Sequence, residues 1–156
     1  MDKSLYLEKN ISQQPAIDLL RSMGYTYISP EDCEAQRGSR YHVLLKDILR
    51  GQLRRLNRYA FAGAENEFSA ANLKYIDWEH PENNLFHVTE EFAVDSRDKL
   101  HNARPDIVLF INGIPFAVIE CKTPQISVEQ AVEQNIRNQQ KEYIPQLYKF
   151  AQIVMA

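Results

Sequence analysis

The sequence predicts an α/β domain in which helices flank a mixed central sheet on both faces, and three observations carry this prediction. Two apolar runs, Ile107 to Ile111 and Ile114 to Ile119, surround Asn112-Gly113, a dipeptide typical of a β-hairpin turn. Neither run alternates with polar residues, which is typical of strands that are buried on both faces of a sheet. Segments with apolar residues at helical spacing precede and follow this hairpin, and they would supply the covering helices.

The size and composition of the chain limit what it can be. At 156 residues and 44% hydrophobic content it can form one core, so we expect residues 1–156 to be a single domain. No long apolar run and no signal-peptide pattern occur, which predicts a cytoplasmic protein without membrane contact. Cys33 and Cys121 are too few for a disulfide framework or a zinc site, so we expect free thiols. No Walker-type phosphate loop is present, which excludes a P-loop ATPase within this sequence.

The amino-terminal third predicts two helices joined by a strand and a loop. Pro15 in the first turn and Gly24 as a stop delimit the first helix. The second helix is longer and has leucines and isoleucines at helical spacing on one face. The predicted elements are a helix at Gln14 to Met23, a strand at Tyr25 to Ile28, a polar loop at Glu31 to Ser39, and a helix at Tyr41 to Arg58.

The longer helix carries a local excess of positive charge. Lys46, Arg50, Arg54 and Arg58 recur at every fourth residue, and the window from Arg37 to Arg58 holds seven Lys or Arg and one acid, against a net charge of −3 for the chain. Such a stripe can lie along a DNA phosphate backbone, which makes Arg50 and Arg54 candidate DNA-binding residues. A solvated face, or a face covered by acidic residues of further domains, explains the stripe equally well.

The middle of the chain predicts strands and connections. Ala60 to Asn72 is expected to be a loop with a short helix, Leu73 to Trp78 and Leu85 to Val94 two strands, and Asp95 to Ala103 a charged connection. The histidines show no metal-ligand spacing, so we expect none of them to take part in chemistry.

Charged residues collect where the two central strands end, with Asp106 on the first strand and Glu120 and Lys122 on the second. Glu120 and Lys122 share a face because they are two residues apart on a strand. A two-residue turn would pair Asp106 with Ile119 and send Asp106 to the other face. A three-residue loop with Gly113 in a left-handed bulge position, or an equivalent bulge, puts Asp106 on the face of Glu120, and we predict this arrangement.

Two carboxylates and an ammonium at the end of buried strands are costly unless they pair or bind a ligand. Carboxylate oxygens with positions left for water and phosphate suit Mg²⁺, with Mn²⁺ as a substitute on ligand grounds. A neighbouring lysine can orient the attacking water or offset charge during phosphoryl transfer. A structural ion-pair cluster accounts for the same residues without a ligand, and the residues alone leave both interpretations open.

A proline and Asp106, followed after thirteen residues by Glu120-Cys121-Lys122, resembles the PD-(D/E)xK nuclease motif. The wider phrases Arg104 to Pro115 and Val118 to Pro124, with Asn83 to Phe86 upstream, resemble the amino-terminal nuclease domain of the R subunit of type I restriction-modification enzymes. This resemblance extends over nearly the whole chain. It implies a restriction-endonuclease-like PD-(D/E)xK core.

The resemblance also implies Mg²⁺-dependent hydrolysis of phosphodiester bonds in double-stranded DNA. Asp106, Glu120 and the backbone carbonyl of Cys121 would hold the metal, and Lys122 would serve the attacking water. Cys121 stands where the family often has an aliphatic residue, and its side chain should point to the opposite face. Many such nucleases have an extra acid on their first helix, which makes Glu8 a further candidate beside its interpretation as a solvated surface residue.

The helix after the hairpin supplies further candidates. Ser127 opens a capping box that predicts a helix to about Tyr143. Several nucleases of the resembled kind carry Gln-Xaa3-Tyr on this helix, where it helps to place DNA. Here Gln134 matches, Asn138 replaces the tyrosine, and Arg137 would compensate. Gln130, Gln134 and Asn138 form a row of amides at every fourth residue, and an ordinary solvated helix face accounts for this row as well. The residues expected to face the core are Val128, Ala131, Val132, Ile136 and Tyr143.

Pro145 should end the helical region, followed by a turn at Gln146 to Phe150. Ala151 to Ala156 has the pattern of a strand in progress, so we expect an amino-terminal fragment of a longer protein. The resemblance implies helicase-like motor domains beyond residue 156.

The leading interpretation is therefore the endonuclease domain of a type I R subunit. The resemblance implies that cleavage depends on ATP-driven translocation in the full-length subunit and on the modification and specificity subunits, one of which would carry sequence recognition. Arg104 is either a phosphate contact beside the site or a surface residue. Two alternatives stay open, namely a nuclease of the same fold in repair or recombination and a non-catalytic DNA-binding or docking module with a structural ion-pair cluster.

Overall fold

A mixed sheet with helices on both faces forms the core of the structure, as the sequence predicts. The computed structural model describes residues 9–57, 73–122 and 128–156. The strands are β1 Thr26–Tyr27, β2 Phe86–Glu90, β3 Val94–Asp95, β4 Asn102–Ala103, β5 Ile107–Ile111, β6 Ile114–Ile119 and β7 Ile153–Met155. The helices are α1 Gln14–Ser22, α2 Pro30–Arg37, α3 Lys46–Leu56, α4 Val128–Asn138 and α5 Pro145–Tyr148, with a π-helical turn at Lys9–Gln13 and a 3-10 turn at Pro81–Asn83. The predictions for Glu8, Arg58, Ala60 to Asn72 and Ser127 fall outside the described residues.

The predicted hairpin of β5 and β6 stands at the centre of the sheet, whose strand order is β1-β2-β5-β6-β7. β2, β5 and β6 are antiparallel neighbours, while β1 pairs with β2 and β7 pairs with β6 in parallel. Every residue of β5 is buried. The continuous apolar run therefore indicated a central strand correctly, because such a strand has no solvent-facing side.

Alternate residues of β5 enter two cores, one on each face of the sheet. Phe110 belongs to a buried cluster with Cys33 of α2 and Leu147 of α5. Leu109 belongs to a second cluster with Ile17 of α1. Burial of side chains of this size contributes about 1.5–3 kcal/mol each. Helices on both faces thus supply the apolar surface that each side of β5 requires.

The region predicted as a polar loop between Glu31 and Ser39 is in fact the helix α2. Ser29 caps it by accepting a hydrogen bond from the Asp32 backbone N–H, Pro30 occupies its first turn, and Gly38 ends it with a φ of 70°. The apolar periodicity of α2 is weak because its buried residues are Cys33 and a buried arginine. The capping residues, and not hydrophobicity, are the sequence signal for this helix.

That buried arginine, Arg37, is satisfied without a carboxylate. Its guanidinium donates to the carbonyl oxygens of Cys33, His42 and Ala93 at 3.0–3.3 Å and lies 4.0 Å from the centre of the Phe92 ring. Burial lowers the pKa of Arg37 from its ordinary value. Arg37 therefore belongs to the structural core and not to the predicted basic stripe.

The predicted long helix is confirmed only from Lys46 onward, as α3. The preceding residue, Leu45, has an extended backbone, and its N–H donates to the Gly113 carbonyl at 2.9 Å. This bond ties the start of α3 to the hairpin turn and stops the helix from extending backward. α3 buries Gln52 among its half-buried leucines.

Two strand predictions in the middle of the chain need correction. Leu73 to Trp78 forms no strand; its buried Asp77 instead accepts hydrogen bonds from Asn83, Lys74 and the His80 backbone. Leu85 to Val94 divides into β2 and β3, because Glu91 takes a left-handed backbone with a φ of 51°. β3 pairs with β4 in a separate two-stranded ribbon. β4 lies within Asp95 to Ala103, which was predicted to be a connection without strands.

The carboxyl-terminal elements differ in orientation from the prediction. α4 ends at Asn138, well before Tyr143, and its buried residues are Ala131, Asn135 and Asn138. The prediction that Val128, Val132 and Ile136 face the core is wrong, since these three are exposed. α5 replaces the predicted turn at Gln146 to Phe150, and the predicted final strand is confirmed as β7. Across the described residues no helix is long and apolar enough to cross a membrane.

Candidate active site

A bulge in the β5–β6 hairpin decides which residues face each other at its open end. The turn has two residues, Asn112 and Gly113, with φ values of 53° and 82°. Pairing shifts by one residue further along, between Leu109 and Phe110. The pairs are Ile111 with Ile114, Phe110 with Pro115, Leu109 with Ala117, Val108 with Val118 and Ile107 with Ile119. The predicted three-residue loop is therefore wrong, and its stated alternative, an equivalent bulge, is confirmed.

This bulge brings Asp106 and Glu120 together. Ile107 pairs with Ile119, so the same register continued by one residue sets Asp106 opposite Glu120. Residues opposite each other on antiparallel strands share a face, with Cβ atoms about 4.5–5.5 Å apart. Pro115 lies at the shift and has no N–H to give to the ladder, which is a sequence signal for a bulge.

Asp106 is half-buried, and hydrogen bonds from three other residues hold its side chain and its carbonyl oxygen. Its Oδ2 accepts a hydrogen bond from the Cys121 N–H at 2.7 Å. Its carbonyl oxygen accepts from the Glu91 N–H at 2.9 Å and from Nε2 of Gln13 at 3.2 Å. The carboxylate is thus fixed against the strand that carries Glu120, which limits the rotamers that it can adopt.

Glu120 is 2% exposed, and the helix α4 and the strand β7 both bind it. Its Oε2 accepts from Nε2 of Gln134 on α4 at 2.7 Å, and its N–H donates to the Met155 carbonyl of β7 at 3.0 Å. That carbonyl also accepts from Asn135 Nδ2 at 3.1 Å, and Asn135 Oδ1 accepts from the Tyr148 hydroxyl at 3.0 Å. Both the side chain and the backbone of Glu120 are therefore fixed by the carboxyl-terminal elements.

Glu120 affects the pKa of the neighbouring Tyr148. Burial raises the pKa of Tyr148 to about 12, and the negative charge of Glu120 contributes to this rise. Because Glu120 is almost fully buried, its carboxylate lies in a poorly solvated place. A cation bound there would experience little competition from bulk water.

The two other motif residues occupy contrasting positions. Cys121 is buried in the α1-side cluster, which confirms that its side chain points away from the face of Glu120. Lys122 is half-buried, two residues after Glu120. Within residues 9–57, 73–122 and 128–156, no group of three or more His, Cys, Asp or Glu side chains is arranged to hold a metal ion. Any cation at this place would therefore draw on the pair Asp106 and Glu120 together with backbone, water or ligand oxygens.

Gln13 is a site residue that the sequence did not reveal. It is 3% exposed, and besides the Asp106 carbonyl its Nε2 approaches Glu90 Oε2 at 3.1 Å and Glu91 Oε1 at 3.5 Å. Glu90 Oε1 in turn accepts from the Tyr27 hydroxyl at 3.0 Å. Burial raises the pKa of Tyr27 to about 12, with the Glu90 hydrogen bond adding to it. No local pattern marks Gln13, because its partners are 77 to 93 residues away in the sequence.

The predicted DNA-binding residues divide into two groups. Gln134 lies at the site, and Arg104 lies beside it in an ion pair with Glu91. Arg137 is exposed on α4, with its guanidinium 5.5 Å from the Tyr143 ring centre. Asn138, which replaces the family tyrosine, is only 1% exposed, so it is not part of a solvated helix face. Arg50 and Arg54 belong to α3 at the turn end of the hairpin, so the structure does not bring them to Asp106 and Glu120.

Comparison with known proteins gives concordant results. Residues 5–156 match the sequence profile of the family described as type I restriction enzyme R protein N terminus. A Methanocaldococcus jannaschii protein whose name describes a type I restriction enzyme MjaIXP endonuclease subunit is 38% identical over 84 residues, 53% of this chain and 8% of that protein. The type I restriction enzyme SsaAORF53P endonuclease subunit of Staphylococcus saprophyticus is 32% identical over 85 residues, 54% of this chain and 9% of that subunit. The matched stretch is thus less than a tenth of the length of these relatives.

Proposed function

The chain belongs to the type I restriction enzyme R protein N-terminus family, and from this premise we propose that it is a Mg²⁺-dependent endonuclease domain that hydrolyses phosphodiester bonds of double-stranded DNA. The bulged hairpin is the observation that carries the proposal. It sets two carboxylates opposite each other at the end of buried strands, where charge is costly unless it binds something.

The donor atoms present suit a hard divalent cation. The carboxylates of Asp106 and Glu120 and the backbone carbonyl of Cys121 are all oxygen donors, and Mg²⁺ commonly takes one or two carboxylates with waters and substrate phosphates. Fewer than three carboxylates therefore suffice, provided that DNA supplies further oxygens. When bound, the ion would supply Lewis-acid polarisation of the scissile phosphate and a lowered pKa for a water.

The chain's own residues have distinct roles in this proposal. The Cys121 N–H, at 2.7 Å from Oδ2, fixes Asp106, and Gln134 Nε2, at 2.7 Å from Oε2, fixes Glu120. Lys122 orients the attacking water or offsets charge that develops on the phosphate. Holding groups in place before the reaction lowers the entropic cost of reaching the transition state.

The rest of the proposal concerns a protein longer than this chain. We propose that ATP-driven motor domains follow residue 156 and that cleavage occurs in a complex with modification and specificity subunits. Cytoplasmic location follows from this role. Sequence recognition would lie outside this domain. The domain itself should therefore contact the sugar-phosphate backbone of DNA and not the base edges.

Calorimetric titration of Mg²⁺ and Mn²⁺ into the wild-type chain, with and without a DNA duplex, tests the metal site. We expect binding in the presence of DNA that is lost in Glu120→Gln and Asp106→Asn and kept in the matched control Asp18→Asn, an exposed residue on α1. Circular dichroism confirms that each variant is folded. Absence of metal binding by the wild type both with and without DNA would favour the non-catalytic docking module, in which these residues form a structural cluster.

A further inference from the structure

The exposed face of α3 is the most positively charged surface of any described helix. Lys46, Arg50, Arg54 and Arg55 are all exposed on it, and the one acid there, Asp47, forms an exposed ion pair with Arg50 at 3.2 Å. An isolated surface pair of this kind contributes little to stability, so the fold does not need this concentration of charge.

Gly51 lies within the same exposed face and has no structural reason to be glycine. A Cβ added to it would meet no atom within 4 Å, and its backbone is helical. Glycine is less favourable than alanine in the interior of a helix. On the helix surface Gly51 neighbours Arg54 and Arg55, three and four residues along. A binding partner that approaches the helix backbone closely would account for the missing side chain.

On the other side of the cation row from Gly51, the surface of α3 forms a shallow groove of about 370 Å³. Half-buried Leu49 and Leu53 line its floor, and Lys46, Arg50 and Arg54 stand along it. Cations four residues apart on a helix are separated by about 6 Å along the axis, so the row from Lys46 to Arg54 is about 12 Å long. One DNA strand presents about three to four phosphates over this length, at 3.4 Å of axial rise each.

This surface lies far from the acidic pair. α3 begins on the hairpin turn, where the Leu45 N–H donates to the Gly113 carbonyl. The acidic pair is at the other end of the hairpin, and the six residue-to-residue steps from Asp106 to Asn112 span roughly 20 Å. Contacts made by α3 are therefore separate from those of the reacting phosphate.

We propose that the exposed face of α3 binds the phosphate backbone of duplex DNA, with the four cations contacting phosphates and Gly51 allowing the backbone to approach the helix. This inference rests on the proposed function for the choice of duplex DNA as the partner. The binding itself requires neither a metal nor the acidic pair. α3 would hold DNA at a distance from the site where it is cut.

The test is fluorescence anisotropy of a labelled 30-base-pair duplex in EDTA, titrated with wild-type chain between 50 and 200 mM KCl. For Arg50→Gln/Arg54→Gln we expect weaker binding and a slope of log affinity against log salt that is smaller by about 1.8, or 0.9 for each lost phosphate contact. The matched control Arg21→Gln/Arg97→Gln removes the same charge from two other exposed positions and should leave more of the slope intact.

Gly51→Ala tests the close approach of DNA to α3 without changing the charge of the helix. The substitution should raise the melting temperature by about 1–3 °C, because alanine favours the helix. It should nevertheless weaken DNA binding at every salt concentration. Unchanged DNA binding by Gly51→Ala would show that the DNA backbone does not approach α3 closely at Gly51.

Two further results would overturn the proposal as a whole. The first is equal salt slopes for Arg50→Gln/Arg54→Gln and its control. The second is tighter binding of polyglutamate than of DNA, which would identify an acidic protein surface as the occupant. Since these measurements contain no metal, they are independent of whether Asp106 and Glu120 form a catalytic site.

Discussion

The two ends of the β5–β6 hairpin bury polar groups in opposite ways. At the turn end, Asn112 is 0% exposed and all four hydrogen-bonding positions of its amide are filled. Its Oδ1 accepts from Gln52 Nε2 and the Leu85 N–H, both at 2.8 Å, and its Nδ2 donates to the Tyr75 carbonyl and Asn84 Oδ1 at 2.9 and 2.8 Å. At the open end the polar groups are the carboxylates of buried Glu120 and half-buried Asp106.

This difference shows how a structural polar cluster is distinguished from a candidate site. The groups bonded to the Asn112 amide are uncharged and have their partners within the protein, so the turn end needs no ligand. The open end places two carboxyl groups close together where solvation is poor, and there a cation gains most. We therefore expect mutations at the turn end to change stability and mutations at the open end to change binding and activity.

Asn112→Ala should have the largest effect on stability. The change removes four hydrogen bonds, two of them to the buried side chains of Gln52 and Asn84, so the free energy of unfolding should fall by about 3–5 kcal/mol. Urea denaturation measures it, with Asn102→Ala at an exposed position as the control. A loss below about 1 kcal/mol would show that the turn end is not a stabilising network.

Gly113→Ala should have the next largest effect. Its φ is 82°, and an added Cβ would lie 2.6 Å from the Leu45 carbonyl oxygen and 3.0 Å from the Leu49 nitrogen, both backbone atoms. We expect a loss of about 2–4 kcal/mol from backbone strain and displacement of α3. Gly24→Ala is the matched control, because φ is 101° there but nothing lies within 4 Å. Similar losses for the two variants would mean that the contact with α3 tolerates a side chain.

Asp106→Asn should change stability much less, in contrast to the turn end. Removing one of two facing carboxylates relieves like-charge repulsion in the absence of metal, so we expect unfolding free energy within about 1 kcal/mol of wild type or higher. Nuclease activity of the full-length complex should be lost. A large destabilisation with activity retained would show that the acidic pair is structural, as the turn end is.

Tyr148→Phe should produce the smallest pH-dependent effect. Loss of the hydrogen bond to Asn135 should lower stability by about 1 kcal/mol at all pH values, and a further difference should appear only at high pH. The pKa of Tyr148 is raised to about 12 from an ordinary value of 10.0, so the folded state retains a proton that the unfolded state loses. This contribution to stability is complete below pH 10 and is lost as pH rises from 10 to 12. Denaturation between these pH values should show a shallower decline for Tyr148→Phe. Identical declines would indicate that Glu120 and burial do not act on this phenol.

Much of the candidate site could be predicted because its residues are close in sequence and sit where apolar runs stop. Asp106, Glu120 and Lys122 were found in this way. Gln134 was found through the family resemblance. Gln13 and the link from Asn135 through Met155 to Glu120 could not be predicted, because they join segments that only folding brings together. The orientation of α4 was mispredicted for the same reason. Apolar spacing suggested that the valine face of α4 is buried, but the hydrogen bonds of Gln134 to Glu120 and of Asn135 to Met155 turn the amide face inward and leave the valines exposed.

The sequence by itself determined the central hairpin, its burial, and the carboxylates at its open end, because strand burial and turn formation follow from local composition. It also determined the family. Only the tertiary structure decided where the bulge lies, with Phe116 as the extra residue between Pro115 and Ala117. It also decided that the basic face of α3 lies at the other end of the hairpin. Register and helix placement depend on how distant segments pack, and a shift of one residue moves a side chain to the opposite face of the sheet.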